Sequence, residues 1–374
     1  MPSIRSLVFA FLALLFTGCA AEPAVTFIVT PATPLSDSAA VYLTGDGESF
    51  GSWQPDAVPL QQQGDGRWTT TLSVKPGPLV FKITRGTWET EAVSAEGVVP
   101  ANYRFTIRTD TTISLTVDNW KDVIHKIEGQ ITGTVAYHRA LTGRGLKPRD
   151  VIVWLPPSYA GAPEQRYPVL YMHDGQNIVD PNTSYTKVDW QVDEAVDSLS
   201  RQGRMPEIII VGVYNTPDRS TEYNDTDLGR AYLRFLVDDL KPMIDTTYRT
   251  LPDRANTAVM GSSMGGLISF LAAWEHPEVF SKAACLSPYF PEDLPQKVQS
   301  RAWDTANLRL YLDNGGDELD TQLQEGTDAM LKVLPARGFT EGDNLMWVRD
   351  PAAAHNERAW ATRIWRPLLF MFGT

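Results

Sequence analysis

Five histidines limit where this chain of 374 residues could find a base for nucleophilic chemistry, and a candidate serine or cysteine is credible only if one of them can reach it. The strongest candidate is Ser263, within Gly261-Ser262-Ser263-Met264-Gly265-Gly266, after the apolar run Thr257–Met260 and before an apolar stretch with i, i+3, i+4 spacing. A G-x-S-x-G pattern between a strand and a helix places the serine on a tight turn, where the glycines two positions before and after it avoid clashes. The helix N-terminus beneath such a serine also presents backbone N–H groups to a developing oxyanion. A serine of this kind attacks only when a neighbouring base takes its proton.

His125 lies in a connector and His138 in an early strand, while His276 precedes Pro277 at the far end of the helix that Ser263 starts. His173 follows an apolar strand on the N-terminal side of the serine. His355, in Ala352–Trp360, falls between the last strand and the last helix, which gives the chain order serine, acid, histidine of an α/β-hydrolase. The acid should then follow the strand Leu308–Leu312, within Asp313-Asn314-Gly315-Gly316-Asp317-Glu318-Leu319-Asp320, where it would fix the imidazole tautomer and stabilise the imidazolium. Asp313 is too close to the strand end, which leaves Glu318, Asp320 and Asp317 open.

Positioning these groups requires a sheet. From about residue 130 to 374, apolar runs (Val151–Leu155, Val169–Met172, Ile208–Val213, Ala258–Met260, Ala283–Leu286, Leu308–Leu312, Leu345–Val348) alternate with helical patterns at Ala231–Asp245, Met264–Glu275, Leu323–Arg337 and Glu357–Phe372. That alternation predicts an α/β fold, a largely parallel sheet covered on both faces. From 24 to 120 the pattern is different: short runs rich in Val, Ile, Thr, Tyr and Phe, separated by Gly, Pro, Asp and Ser, predict an N-terminal β-sandwich with Trp68 in its core. With 43% hydrophobic, 10% aromatic and 21% charged residues the chain can bury large cores, and its length suits two or three domains. A formal charge of −12 is the wrong sign for neutralising phosphates, so nucleic acid is excluded as a partner. No clustered metal-ligand spacing and no Gly-rich phosphate loop is evident, so no metal and no cofactor are expected.

Tyr167-Pro168-Val169-Leu170-Tyr171-Met172-His173-Asp174-Gly175-Gln176-Asn177, Trp190 with Asp193-Glu194-Ala195, Arg219–Tyr223, Tyr248-Arg249-Thr250, the serine motif and His355-Asn356-Glu357 with Trp360 carry a resemblance. Together they resemble the esterase family that contains esterase D, the carbohydrate esterases of family 1, siderophore esterases and mycolyltransferases. The resemblance covers nearly all of residues 130–374 and implies an α/β-hydrolase fold and hydrolysis of a carboxylic ester by a Ser-His-acid triad. It also implies an oxyanion hole from the backbone N–H groups of Gln176 and Met264. The family's acid falls on Glu318, with Asp320 the position of some members. Trp190 would line the acyl pocket or brace the core, and Arg219 and Glu222 would pair structurally.

Two further resemblances concern the N-terminal part. Val41–Gly45, Gly51-Ser52-Trp53, Gly66-Arg67-Trp68 and Phe81–Thr90 look like a starch-binding domain of the carbohydrate-binding module 20 type, which implies that Trp53 and Trp88 stack on α-glucan. Arg5, the apolar run Leu7–Phe16 and Phe16-Thr17-Gly18-Cys19 resemble a bacterial lipoprotein signal. That resemblance implies removal of residues 1–18, lipidation of Cys19 and attachment to the cell envelope through a lipid anchor only, at the outer membrane. Cys285 would then be a lone buried thiol. The expected partner is an ester substrate, carbohydrate-linked and of acetyl or feruloyl type. The competing expectations are a siderophore or lactone esterase and a non-catalytic α-glucan-binding surface lipoprotein.

Overall fold

Along Ala24–Pro31, Val25, Phe27 and Val29 are buried while the residues between them are half-buried, the period-two signature of a strand with one face on a core. In the computed structural model, which describes residues 22–36, 38–95, 97–123, 131–300 and 308–374, this strand lies in the first of two compact units, bounded at His125 and Lys126. The short β runs read from residues 24–120 form strands there. One four-stranded sheet runs in the order Gln61–Gln62, Trp68–Ser73, Ala24–Pro31, Thr111–Val117; the other runs Val58–Pro59, Tyr42–Gly45, Gly77–Thr84, Tyr103–Ile107. Residues of both sheets share one apolar cluster, in which Phe27 and Phe81 meet edge to face at 5.3 Å and Trp68 is buried as expected. Trp53 closes the turn Glu48–Trp53 and Trp88 opens the turn Trp88–Thr90, both half-exposed. The signal at residues 1–18, Cys19 and His125 lie outside the described residues.

The second unit is built on eight strands: β1 (Thr134–Leu141), β2 (Arg149–Leu155), β3 (Val169–His173), β4 (Ile209–Val213), β5 (Thr257–Ser262), β6 (Lys282–Leu286), β7 (Arg309–Asn314) and β8 (Leu345–Arg349). They form one sheet in the order β1-β2-β4-β3-β5-β6-β7-β8, antiparallel at β1 and β2 and parallel from β4 onward. Every residue of β3, β4 and β5 is buried. Within β3 the alternation persists but both sides are apolar: Val169 and Tyr171 enter one cluster, Leu170 and Met172 the other. This explains why the central strands read as continuous hydrophobic runs rather than as alternating ones. The fold is α/β-hydrolase-like.

Five helices frame the site and its supports: α1 (Val192–Arg201), α2 (Met264–Glu275), α3 (Glu318–Val333), α4 (Glu357–Arg363) and α5 (Trp365–Phe372). The predicted Met264–Glu275 is found with those bounds, whereas Glu357–Phe372 is divided at Ile364 and α3 starts five residues earlier than Leu323. α1 was not anticipated, because its ten residues carry only Val192, Val196 and Leu199 as buried apolar positions among Asp, Glu and Ser. Cys285 is fully buried with a free thiol, whose ionisation burial opposes. Among the described residues no helix is long and apolar enough to cross a membrane.

Candidate active site

Every candidate residue follows the C-terminal end of a sheet strand, the edge where open α/β sheets bind ligands. Ser263 comes directly after β5 and before α2, at φ 57° and ψ −122°. That conformation is costly for a residue with a Cβ, and three contacts hold it. The Ser263 N–H donates to the Leu286 carbonyl of the neighbouring strand at 2.9 Å, and the Ser263 carbonyl accepts from the N–H groups of Gly266 and Tyr289, each at 3.0 Å. A Cβ on Gly261 would stand 2.6 Å from the Gly265 carbonyl oxygen, so the turn closes this tightly only with glycine there.

The imidazole lies on the loop between β8 and α4, near the far edge of the sheet. His355 Nδ1–H donates to Asp320 Oδ1 at 2.7 Å, the donor being assigned because a carboxylate only accepts. Nε2 is thereby left as the basic nitrogen. Asp320 is fully buried, and its Oδ2 accepts from the Gly315 N–H at 2.8 Å and the Ser287 hydroxyl at 3.1 Å. A Cβ on Gly315 would fall 2.1 Å from that oxygen, so the glycine is what admits the carboxylate. Asp317 acts on the backbone instead. Its Oδ1 caps α3 by accepting from the Asp320 N–H at 2.9 Å, and its Oδ2 accepts from the His355 N–H at 2.7 Å. Of the three acids the sequence leaves open, Asp320 is the one that meets the imidazole. The first turn of α3, once capped by Asp317, brings the residue three positions after the cap to the imidazole, and that residue is Asp320.

Gln176 and Met264 stand four residues beyond Met172 and Met260, which are paired in the parallel register of β3 and β5. The two N–H groups thus belong to loops leaving adjacent strand ends. Met264 opens α2, so its N–H has no acceptor within the helix. Gln176 is held through its carbonyl, which accepts from the Thr183 hydroxyl at 2.7 Å, and its Oε1, which accepts from the Asn215 N–H at 3.3 Å. The other histidines serve elsewhere: His138 shares a hydrogen bond with Tyr248, and His276 sits beside Glu278. Burial pushes His173 down to about 3, so its imidazole is neutral; its Nδ1 and the Tyr232 hydroxyl share a hydrogen bond of 2.8 Å.

The family model described as "Putative esterase" matches residues 146–370. The chain belongs to this family. The esterase is 23% identical over 246 residues to the uncharacterised protein YbbA of Bacillus subtilis (strain 168), covering 60% of its own chain and 93% of that one. It is 27% identical over 228 residues to an endo-1,4-beta-xylanase/feruloyl esterase of Xylanibacter ruminicola, covering 59% of its own chain and only 28% of that longer protein. Among solved structures, a ferulic acid esterase superposes with a TM-score of 0.54 at 20% identity, covering 64% of this chain and 100% of that one. These likenesses to known structures show the fold, and the family membership shows an ester hydrolase.

Several residues that shape the esterase's site were not legible beforehand. The Ser287 hydroxyl, which donates to Asp320, accepts from Arg363 Nη2 at 2.8 Å, and Arg363 Nε donates to buried Asp313 at 2.9 Å. Asp313, set aside as too near the strand end, thus anchors the arginine behind the acid. Trp190 is buried with its ring 5.2 Å from that of Trp360, which in turn meets the His355 ring at 5.0 Å, so Trp190 braces the histidine's support. Arg219 and Glu222 do pair structurally, but not with each other. Glu222 takes the buried Arg149, while Arg219 grips Asp174 through Nε at 2.7 Å and Nη2 at 2.8 Å.

Asp174 immediately precedes the Gly175–Asn177 turn and is itself left-handed, at φ 56°. Burial pushes its carboxyl up, but the Arg219 charge and the bonds from Arg219 and Asn215 more than offset this, holding it below the usual range. Nearby Glu357 has no such fork, and burial raises its carboxyl. Arg219 is accordingly a positioning residue for the Gln176 loop. Arg219→Met, which keeps the stem and removes the fork, is expected to lower kcat on p-nitrophenyl acetate by roughly ten- to a hundredfold with KM changed less than about threefold. An unchanged kcat, or a loss carried by KM alone, would count against that role.

Proposed function

We propose that this esterase is a serine carboxylic-ester hydrolase acting on carbohydrate-linked esters of feruloyl or acetyl type. The observation that carries the mechanism is the buried Asp320–His355 hydrogen bond at the strand ends, downstream of a serine held in a strand-to-helix elbow. In this reading His355 Nε2 takes the Ser263 proton as Oγ attacks the ester carbonyl, and the N–H groups of Gln176 and Met264 receive the oxyanion. His355 then protonates the leaving alcohol and activates the water that releases the acyl group. Asp320 holds the tautomer throughout and stabilises the imidazolium.

The carbohydrate side of the proposal is supported by the name of the Xylanibacter ruminicola relative and by a 37% identity over 112 residues to an alpha-amylase of Niallia circulans, of which this chain covers only 8%. Half-exposed Trp53 and Trp88 would then retain α-glucan. A second reading, a siderophore or lactone esterase, is favoured by one likeness. The enterobactin esterase of Shigella flexneri superposes over 92% of both chains at a TM-score of 0.55 and 15% identity.

Rates of the intact protein on feruloyl-arabinose, acetylated xylo-oligosaccharide and enterobactin separate the two readings. Sugar esters are expected to lead by at least about tenfold in kcat/KM, a transition-state difference of roughly 1.4 kcal/mol. A lead for enterobactin transfers the proposal to the second reading. Retention on amylose, abolished in the Trp53→Ala/Trp88→Ala double variant, tests the glucan part, and its absence in wild type removes that part.

A further inference from the structure

The order of the strand ends says on which side of the serine a leaving alcohol must lie. Gln176 follows β3, Ser263 follows β5, Asp320 follows β7 and His355 follows β8, and β6 stands between the serine's strand and the acid's. In the proposed mechanism the carbonyl oxygen turns toward the N–H of Gln176, while the alcohol departs on the side where His355 protonates it. The alcohol is then on the β6 side of the nucleophile.

The chain that leaves β6 is wrapped closely around the elbow. Leu286 accepts from the Ser263 N–H at 2.9 Å, and Ser287, left-handed at φ 41°, turns the chain while its hydroxyl reaches Asp320. A Cβ on Gly266 would stand 3.0 Å from Pro288 Cβ, so the first turn of α2 packs directly on this segment. The Tyr289 N–H then returns to the Ser263 carbonyl at 3.0 Å. Phe290 goes inward, its ring 5.6 Å from that of Phe270 and edge to face with it, whereas Tyr289 is 39% exposed. Among the described residues of this unit the large apolar side chains left exposed are Tyr185, Tyr289, Leu319 and Trp365. A single exposed tyrosine is ordinary on a protein surface. This one is one backbone hydrogen bond from the nucleophile, on the alcohol's side of it.

We propose that Tyr289 is a specificity-determining residue, its ring the platform on which the sugar of the leaving alcohol stacks. The inference rests on the reading of Ser263 and His355 as nucleophile and base. A flat ring buries the apolar C–H face of a sugar and leaves the hydroxyls in water, so it favours a sugar over a small alcohol without demanding one hydroxyl pattern. Because the Tyr289 backbone is bonded to that of Ser263, a sugar seated on the ring would carry its ester at a fixed distance from Oγ. The acyl group, on the other side of the scissile bond, would be read by other residues.

The test compares kcat/KM of the intact protein on feruloyl-arabinose and methyl ferulate, which share an acyl group and differ in the alcohol, and on methyl butyrate, which shares its alcohol with methyl ferulate. Wild type is expected to favour the arabinose ester over methyl ferulate by roughly tenfold. Tyr289→Ala, and Tyr289→Leu, which keeps apolar bulk without a flat face, should reduce that preference to within about twofold, and Tyr289→Phe should retain most of it. All three variants keep the N–H that holds the elbow. No preference in wild type, a preference that survives Tyr289→Ala and Tyr289→Leu, or a loss in Tyr289→Phe equal to that in Tyr289→Ala overturns the assignment while leaving the esterase reading intact. So does a change confined to the ratio of methyl ferulate to methyl butyrate, which would put Tyr289 on the acyl side. Hydrolysis of none of the three esters by wild type would bring down the catalytic reading and this inference with it.

Discussion

Ser263→Ala is expected to reduce kcat on p-nitrophenyl acetate by roughly 10⁴- to 10⁶-fold, with KM changed only a few-fold. The size follows from the way the proposed groups act as a unit: without Oγ there is no acyl-enzyme, and His355 and Asp320 have nothing to activate. Binding survives, together with the N–H groups of Gln176 and Met264, which act on the carbonyl whoever attacks it. The elbow should persist, because the contacts that hold it are made by the Ser263 backbone to Leu286, Gly266 and Tyr289 rather than by its hydroxyl. The variant's Tm should therefore stay within a few degrees of wild type. Retention of more than about 1% of kcat would remove Ser263 from the nucleophile's role.

Asp320→Asn is expected to cost roughly 10³- to 10⁴-fold in kcat, against less than about threefold for Glu318→Gln. Asparagine would fill the same volume and could still accept from Gly315 and Ser287, so the local fold should survive. Its amide would, however, present N–H to His355 Nδ1 as readily as oxygen. The imidazole would then carry its proton on Nε2, where the base must be free. The damage is one of tautomer and of lost imidazolium stabilisation, and it should appear in kcat rather than in KM. If Glu318→Gln proved as harmful as Asp320→Asn, the hydrogen-bond geometry would not be the working one.

The residues proposed as nucleophile and base stand out along the chain because each is specified locally. Ser263 is marked by glycines that the turn demands, and His355 by its place after the last strand. The acid could not be read in this way. Four carboxylates crowd residues 313–320, and which of them meets the imidazole depends on where α3 begins and on Asp317 serving as its cap. The sheet's interior was legible because β3, β4 and β5 are apolar on both faces. Strand β1 and helix α1 were not: β1 is an edge strand whose positions are half-buried or exposed, so its alternation is faint. The forks of Arg219 on Asp174 and Arg363 on Asp313 span 45 and 50 residues, distances at which local pattern is silent.

The arrangement of the parallel strands has a consequence for how the esterase comes into being. The residues proposed for catalysis are delivered by the ends of β3, β5, β7 and β8, segments far apart along the chain, and β8, which precedes the histidine, pairs with β7 alone at the margin of the sheet. Such pairing joins segments distant in sequence and forms slowly compared with local helices. The His355–Asp320 contact requires this last strand to be docked, so fraying at that margin would part the proposed base from its acid. On the proposed mechanism, turnover would thus report on the completeness of the sheet.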